Sequence, residues 1–233
     1  MTHLSKRLQA VADMVSPGSR VVDIGTDHAH IPMYLVESGK VEKALAADVN
    51  KGPLSIADQH IMEAGLSDRI STCLSDGLDK LMVNDQDSVV IAGMGGLLIR
   101  SILANDLLKA KIVKELILGP HSEVYELRRF LTENGMLIVD EKALVEDGKY
   151  YFLIKTCVGD SLISLEEDEL RYGPLLLKRK DPVLKEYLRK QEVVLMKVKL
   201  GLNKQEATPE IEKRKKEIDE EMADINHCLK EYF

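Results

Sequence analysis

Aspartate and glycine residues follow three of the apolar runs in the first half of this 233-residue chain. Asp23 and Gly25 belong to V-V-D-I-G, Asp48 ends A-L-A-A-D, and Asp76 with Gly77 follows I-S-T-C-L. Asp48, 23 residues after Gly25, can accept hydrogen bonds from both hydroxyls of a ribose. Asp76 can accept a hydrogen bond from the amino group of an adenine. The spacing predicts a nucleoside-binding site, although each aspartate taken singly is more often a solvated loop residue.

The turn after the first apolar run reads G-T-D-H-A-H-I-P and leads into a predicted helix. Asp27 in this turn can meet a polar, partly cationic ligand, because helix starts and strand ends point into the same crevice. The alternative is that Asp27 caps the helix. His28 and His30 are two residues apart, but no third ligand is identifiable, so we predict no metal site.

A fourth apolar run ends in I-A-G-M-G-G, residues 91–96. Gly93, Met94 and Gly95 are candidate ligand contacts because glycine lets the backbone approach a bound group closely; an ordinary glycine-rich turn would look the same. The pattern G-x-G-x-x-G is absent after the first run. This absence argues against a nicotinamide dinucleotide as the ligand.

The elements that must position these residues alternate between short apolar runs and amphipathic segments, which predicts a parallel sheet covered by helices. Later, Met136–Glu146 and Lys149–Thr156 are separated by Asp147-Gly148, a dipeptide that suits the tight turn of an antiparallel hairpin. A parallel sheet that ends in such a hairpin is the topology of class I S-adenosylmethionine-dependent methyltransferases. The helix between the fifth run and the hairpin is predicted to have Ser122 as its N-cap.

The composition predicts a cytoplasmic protein that does not enter a membrane. The net charge is −7, the three cysteines form no C-x-x-C pair, and no run approaches the roughly 20 apolar residues of a membrane span. The first 15 residues carry a helical apolar stripe rather than a signal peptide.

The last part of the chain is predicted to be helical, so we divide the chain into an α/β domain, residues 1–160, and a helical domain, residues 161–233. Apolar positions spaced alternately by four and three indicate a coiled-coil seam in each of two helices, with a turn at 203–207 and Thr208 as the second N-cap. These positions are Leu184, Leu188, Gln191, Leu195, Val198 and Leu202, then Ile218, Met222, Ile225, Leu229 and Tyr232.

Five motifs together resemble the bacterial tRNA (adenine(22)-N1)-methyltransferase family. They are D-I-G-T-D-H-A (23–29), A-D-V-N (47–50), S-D-G-L (75–78), I-A-G-M-G-G (91–96) and E-D-G-K-Y-Y (146–151), and the likeness continues through E-L-R-Y-G-P (169–174). The resemblance implies transfer of a methyl group from S-adenosylmethionine to N1 of adenine 22 in tRNA. The donor-binding residues it implies are Asp23, Gly25, Asp48, Val49, Asp76, Gly77, Gly93, Met94 and Gly95.

The chemistry implied by the resemblance requires alignment more than base catalysis, because N1 of neutral adenine already carries a lone pair. Positive charge moves onto the base, so Asp27 is our candidate for stabilising it. The base must first leave its stack, and His30 could then stack on it or hydrogen-bond to it, with Tyr34 a weaker candidate. Pro120 and His121 would also lie near the base. His30 stands where the family usually has tyrosine, and G-P-H where many members have Q-P-N.

The helical domain is the predicted tRNA-binding element. Residues 178–204 carry nine basic against three acidic side chains, and Lys178, Arg179, Lys185 and Arg189 are the candidate phosphate contacts. The alternative is a solvated face on a hairpin whose two arms attract each other. Two other functions stay open: a small-molecule methyltransferase whose hairpin serves dimerisation, and a non-catalytic nucleoside- or RNA-binding scaffold. We expect a monomer or a weak dimer.

Overall fold

The computed structural model describes residues 2–159 and 164–233. The chain divides into two compact units, Met1–Leu165 and Glu166–Phe233. The boundary predicted between residues 160 and 161 lies outside the described residues.

Within the part of the chain that the structure describes, the first unit has seven strands: β1 (Gly18–Ile24), β2 (Val41–Asp48), β3 (Ile70–Leu74), β4 (Asp87–Met94), β5 (Glu115–Pro120), β6 (Met136–Glu146) and β7 (Lys149–Val158). They form one sheet in the order β3-β2-β1-β4-β5-β7-β6. The first five strands are parallel, and β7 is antiparallel to both β5 and β6. This order confirms the predicted class I methyltransferase topology.

Six helices among the described residues of this unit cover the two faces of the sheet: α1 (Lys6–Met14), α2 (His30–Glu37), α3 (Lys51–Glu63), α4 (Gly96–Asn105), α5 (Leu107–Ile112) and α6 (Val124–Glu133). Side chains that alternate along a strand point to opposite faces. Val21 and Val90 accordingly pack in a cluster with α1, α2 and α3, whereas Val22 and Ile91 pack in a second cluster with α4, α5 and α6. Because both faces are covered, the central strands are apolar runs without polar alternation.

The hairpin turn is confirmed at Asp147-Gly148, where both residues have positive φ, 50° and 74°, as a type I′ turn requires. The prediction for Ser122 is wrong. Helix α6 has Glu123 at its N-cap, in the left-handed conformation and without a side-chain capping bond. The Ser122 hydroxyl hydrogen-bonds to the Glu123 carboxylate instead of the helix amides, because the loop from β5 is held against the loop from β4.

The second unit contains α7 (Glu167–Tyr172), α8 (Pro174–Lys178), α9 (Pro182–Leu202) and α10 (Pro209–Tyr232). The Thr208 hydroxyl accepts a hydrogen bond from the amide of Ile211, which confirms the predicted cap. Lys185, near the start of α9, donates to the carbonyl of Phe233, and Lys199 pairs with Asp219, so the two long helices run antiparallel.

The coiled-coil seam stays a prediction. Leu184, Leu188 and Leu195 of α9 are buried, as are Ile218 and Ile225 of α10. In the same seam, Val198 is 42% exposed, whereas Cys228, outside the predicted positions, is fully buried. The apolar spacing therefore predicts the buried positions of both helices except at Val198 and Cys228.

Candidate active site

The loops after β1, β2 and β3 are held side by side by backbone hydrogen bonds. The amides of Gly25 and Thr26 donate to the carbonyl of Ala47, at 2.8 and 3.0 Å, and the amide of Ser75 donates to the carbonyl of Asp48 at 3.0 Å. The three strand ends that carry the predicted aspartates are therefore consecutive along one edge of the sheet.

A cavity of about 340 Å³ opens at the carboxyl ends of β1 and β4. Six of the predicted residues line it: Asp23, Gly25, Asp27, His30, Gly93 and His121. Gly25 and Gly93 have positive φ, 72° and 85°, and a Cβ at Gly25 would lie 1.9 Å from Cε of Met94. Both backbone conformations favour glycine, and a side chain at position 25 would displace the Met94 methyl group.

Asp23 is the buried carboxylate of this cavity, with 5% of its surface exposed. One of its oxygens accepts a 2.7 Å hydrogen bond from the hydroxyl of Thr26. Burial raises the pKa of Asp23 to about 6, and the nearby charges of Asp27 and Asp48 add to the rise, against the lowering effect of the Thr26 hydroxyl. A cationic ligand beside Asp23 would offset this cost, because it favours the ionised carboxylate.

The loops after β4 and β5 form the opposite wall. The amide of His121 donates to the carbonyl of Met94 at 2.8 Å, and the amide of Gly96 donates to the carbonyl of Ser122 at 2.9 Å. A Cβ at Gly96 would lie 2.5 Å from the carbonyl oxygen of Glu123, so only glycine allows this approach. The close approach of the two loops brings His121 to the cavity.

The turn that contains Asp27 is made of residues in unusual conformations. His28 and Ala29 both have positive φ, 56° and 59°. Helix α2 begins at His30 with Ala29 at its N-cap and no side-chain capping bond, so the alternative role of Asp27 as a helix cap is wrong. The Asp27 carboxylate lies 3.2 Å from Nε2 of His28.

Three histidine rings stand beside this turn. The ring centres of His28 and His30 are 5.7 Å apart, and His60 of α3 lies 5.7 Å from the first and 6.1 Å from the second. Burial lowers the pKa of His30, and so do His28 and His60, against the opposing effect of Asp27. Burial, Arg7 and Lys149 lower the pKa of His121. At neutral pH both rings are therefore neutral surfaces that can stack on a base or hydrogen-bond to it.

The described residues around this turn offer no candidate metal site. Among residues 2–159 and 164–233, no group of three or more His, Cys, Asp or Glu side chains is arranged to hold a metal ion. The histidine that sequence reasoning missed, His60, directs its Nδ1 to the carbonyl of His28 at 3.3 Å.

The remaining donor-site candidates lie further along the same sheet edge. Asp48 accepts a 2.7 Å hydrogen bond from the amide of Asn50, and Val49 beside it is 58% exposed. Asp76 and Gly77 line a separate cavity of about 230 Å³ with Ile102 of α4. The structure thus places Asp76 beside the end of β2, along the same edge as Asp48 and Asp23, but not in the Asp23 cavity.

Two predicted base contacts are not at the cavity wall. The hydroxyl of Tyr34 accepts a 2.8 Å hydrogen bond from Gln9, and its ring packs against the core cluster between α1 and α2. Pro120 is buried at the end of β5. Tyr34 therefore belongs to the contact between α1 and α2 and not to the cavity wall.

Arg7 and Leu8 of α1 line the cavity and were missed by the sequence reasoning. The guanidinium of Arg7 lies over the ring of Tyr151, 5.5 Å from its centre, and that ring meets His121 edge-on at 5.5 Å. Residue spacing gave no signal for this group, because its members come from α1, the loop after β5, and β7. Tyr151 does fall in the motif E-D-G-K-Y-Y, one of the five that carry the family resemblance.

The predicted phosphate contacts lie in the second unit. Lys178, Arg179 and Arg189 are exposed, on α8, at its end and on α9. Lys185 is half-buried, and its ammonium lies 5.7 Å from the centre of the Phe233 ring.

Within the described chain, no helix is both long and apolar enough to span a membrane.

Comparison with known proteins identifies the family to which this chain belongs. Residues 4–154 match the methyltransferase domain family. The chain is 34% identical, over 98% of its own length and 96% of the relative's, to the tRNA (adenine(22)-N(1))-methyltransferase of Bacillus subtilis. The chain belongs to the tRNA (adenine(22)-N1)-methyltransferase family. The resemblance found in the sequence motifs is thereby confirmed.

Solved structures of this methyltransferase family share the whole architecture. The crystal structure of the B. subtilis m1A22 tRNA methyltransferase TrmK has a TM-score of 0.84 at 30% identity, covering 98% of this chain and 100% of that one. The structure of M. capricolum TrmK in complex with S-adenosylhomocysteine has a TM-score of 0.85 at 31% identity, covering 99% of each chain.

Proposed function

We propose that this protein transfers a methyl group from S-adenosylmethionine to N1 of adenine 22 in tRNA. The observation that carries the proposal is the full-length match to an enzyme of that name in a chain whose cavity lies at the ends of β1 and β4. Ligands of open α/β sheets bind at this edge, where the strand order reverses.

The donor site we propose runs along the strand ends, and its residues fit the donor. Asp23 offers a buried negative charge for a cationic group, Asp48 a carboxylate for ribose hydroxyls, and Asp76 an acceptor for the adenine amino group. The glycines at 25, 77, 93 and 95 keep Cβ atoms out of this path, with Val49 and Met94 as apolar contacts. When bound, S-adenosylmethionine supplies an electrophilic methyl group on a sulfonium.

The residues beside the cavity mouth would align the target base. Asp27 is our candidate for stabilising the positive charge that N1 acquires, since its carboxylate lines the cavity next to His28. His30 and His121, both neutral at pH 7, would contact the extruded base on two sides. No residue needs to remove a proton before transfer, because the lone pair of N1 lies in the plane of the ring.

The decisive experiment measures transfer of labelled methyl groups into unmodified tRNA transcripts. We expect incorporation into a transcript with adenine 22 and none when guanine replaces it. We also expect Asp27→Asn to lower kcat about 10- to 100-fold without a change in S-adenosylhomocysteine affinity, because the interaction arises as charge develops. Incorporation that survives the base change would contradict the proposal.

The second unit is our candidate for holding the tRNA backbone. Replacing Lys178, Arg179, Lys185 and Arg189 by Ala should weaken tRNA binding and lower the slope of log affinity against log salt by about one for each phosphate that is no longer neutralised. The matched control replaces Lys213, Lys215, Lys216 and Lys230 of α10. Equal effects of the two variants would mean that only the overall charge of the second unit matters for tRNA binding, and not the four residues that we name.

A cytoplasmic location and a monomeric or weakly dimeric state stay predictions of the sequence.

A further inference from the structure

His60 of α3 contacts the turn that contains Asp27 from outside the described lining of the 340 Å³ cavity. Its half-buried side chain directs Nδ1 to the carbonyl oxygen of His28 at 3.3 Å. A carbonyl oxygen only accepts hydrogen bonds, so Nδ1 of His60 carries a proton and donates it. The bond ties helix α3, which follows β2, to the turn that follows β1.

The turn needs support from outside because its backbone is strained. His28 and Ala29 have φ of 56° and 59°, a left-handed conformation that is unfavourable for residues with a Cβ. Ala29 is fully buried, and helix α2 begins after it without a side-chain capping bond. Strained conformations of this kind persist where neighbouring elements fix them, and the bond from His60 is such a contact.

His28 in turn contacts the carboxylate of Asp27, which lies 3.2 Å from its Nε2 atom. The other ring nitrogen, Nδ1, is shielded from solvent and has no hydrogen-bond partner among the described residues. A proton on Nδ1 would be a buried donor without an acceptor, so the proton of the neutral ring lies on Nε2 and points to Asp27. The ring that orients the carboxylate therefore belongs to the residue whose carbonyl His60 holds.

His60 also packs against His30, which lines the cavity. The two ring centres are 6.1 Å apart and the ring planes are inclined by 29°, while the ring centre of His28 lies 5.7 Å from that of His60. One side chain of α3 thus contacts the two histidines that follow Asp27 in the turn. It does so without lining the cavity itself.

We propose that His60 is a positioning residue for methyl transfer, which holds the turn so that Asp27 and His30 face the target adenine. This inference rests on the proposed function, since it concerns the residues that we assign to the base. His60 acts through the carbonyl of His28 and is not assigned to the donor. Its loss should therefore lower kcat and leave donor affinity unchanged.

The test separates the hydrogen bond from the bulk of the ring. His60→Phe keeps an aromatic ring but removes the donor, whereas His60→Asn places an amide nitrogen as many bonds from the backbone as Nδ1. Gln59→Ala, on the exposed side of the same helix, is the matched control. For each variant, methyl transfer into tRNA gives kcat and KM, calorimetry gives S-adenosylhomocysteine affinity, and urea unfolding shows that the protein is folded.

We expect His60→Phe to lower kcat about tenfold, because a small displacement of aligned groups slows the transfer. His60→Asn should stay within about threefold of wild type, and Gln59→Ala should match it. S-adenosylhomocysteine affinity should stay within about twofold in all three variants. In the double variant with Asp27→Asn, the combined loss in kcat should be smaller than the product of the two single losses, since His60 acts through the turn.

Three results would overturn the inference. Unchanged kcat in His60→Phe would show that the turn does not depend on the bond. A loss in kcat that Asn does not restore, with an equal loss in S-adenosylhomocysteine affinity, would mean that His60 only supports the fold. Losses that multiply in the double variant would separate His60 from Asp27. Absence of methyl transfer by the wild-type protein would instead remove the proposed function.

Discussion

Two buried carboxylates at opposite ends of the central sheet differ in how fully the protein satisfies them with hydrogen bonds. At the amino end, Glu115 of β5 accepts hydrogen bonds from Lys155, from Ser88, and from both the amide and the hydroxyl of Ser16, all between 2.7 and 2.8 Å. Although burial raises its pKa, these donors hold the pKa of Glu115 below its ordinary value. This carboxylate is ionised and satisfied by the fold alone.

At the carboxyl end, the protein leaves its charges open. Asp23 has the Thr26 hydroxyl as its one hydrogen-bond donor among the described residues, and its pKa is raised to about 6. Within the part of the chain that the structure describes, Arg7 and His28 each have a buried nitrogen without a partner, and the backbone at His28 is left-handed. Strain and unsatisfied groups of this kind persist where a ligand can satisfy them. The Glu115 carboxylate therefore contributes to stability, whereas Asp23, Arg7 and His28 leave groups available for binding.

The largest effect should come from breaking the satisfied end. Glu115→Gln keeps the shape of the side chain but leaves the ammonium of Lys155, 17% exposed, without its anion. We expect a loss of about 3 kcal/mol in the free energy of unfolding, measured in urea, with S-adenosylhomocysteine affinity unchanged. Glu42→Gln, on the exposed side of β2, is the control and should change stability by less than about 0.5 kcal/mol. A small effect at Glu115 would contradict the comparison.

The matching change at the open end should have the opposite sign. The pKa of Asp23 is higher in the folded protein, about 6, than the ordinary value of 3.8, so its ionisation opposes folding as pH rises through 6. Asp23→Asn removes this cost. We expect the stability of the variant relative to wild type to increase by about 2 to 3 kcal/mol between pH 4 and pH 8, by urea unfolding at each pH. A difference that does not vary with pH would show that Asp23 is not buried as a carboxylate.

The smallest effect is on ligand affinity and sharpens the role of the open carboxylate. If ionised Asp23 faces the ammonium of the donor, S-adenosylhomocysteine affinity should fall about tenfold from pH 7 to pH 5. In Thr26→Val, which removes the hydroxyl donor, the fall should begin at higher pH. Asp23→Asn is the control, and a pH dependence that survives in this variant would assign the titration to another group, such as His30 or His121.

Local patterns were enough to predict most elements of the first unit. The strand Ile70–Leu74 and the hairpin strand Met136–Glu146 have the predicted bounds, since apolar runs, turn dipeptides and glycine stops act over a few residues. The predicted cap at Ser122 failed because a tertiary contact between two loops took its place. In the second unit the apolar spacing found both long helices, but it did not predict the exposure of Val198.

The sequence by itself determined the order of strands and helices, the aspartates at three strand ends and the family to which the chain belongs. These follow from periodicity and from motifs that are contiguous in the chain. Only the tertiary structure decided that Asp23 is buried with a raised pKa, that His60 joins the two other histidines, and that Arg7 meets Tyr151 at the cavity. The physical reason is that burial and the partners of a charge depend on residues far apart in sequence, which the fold alone brings together.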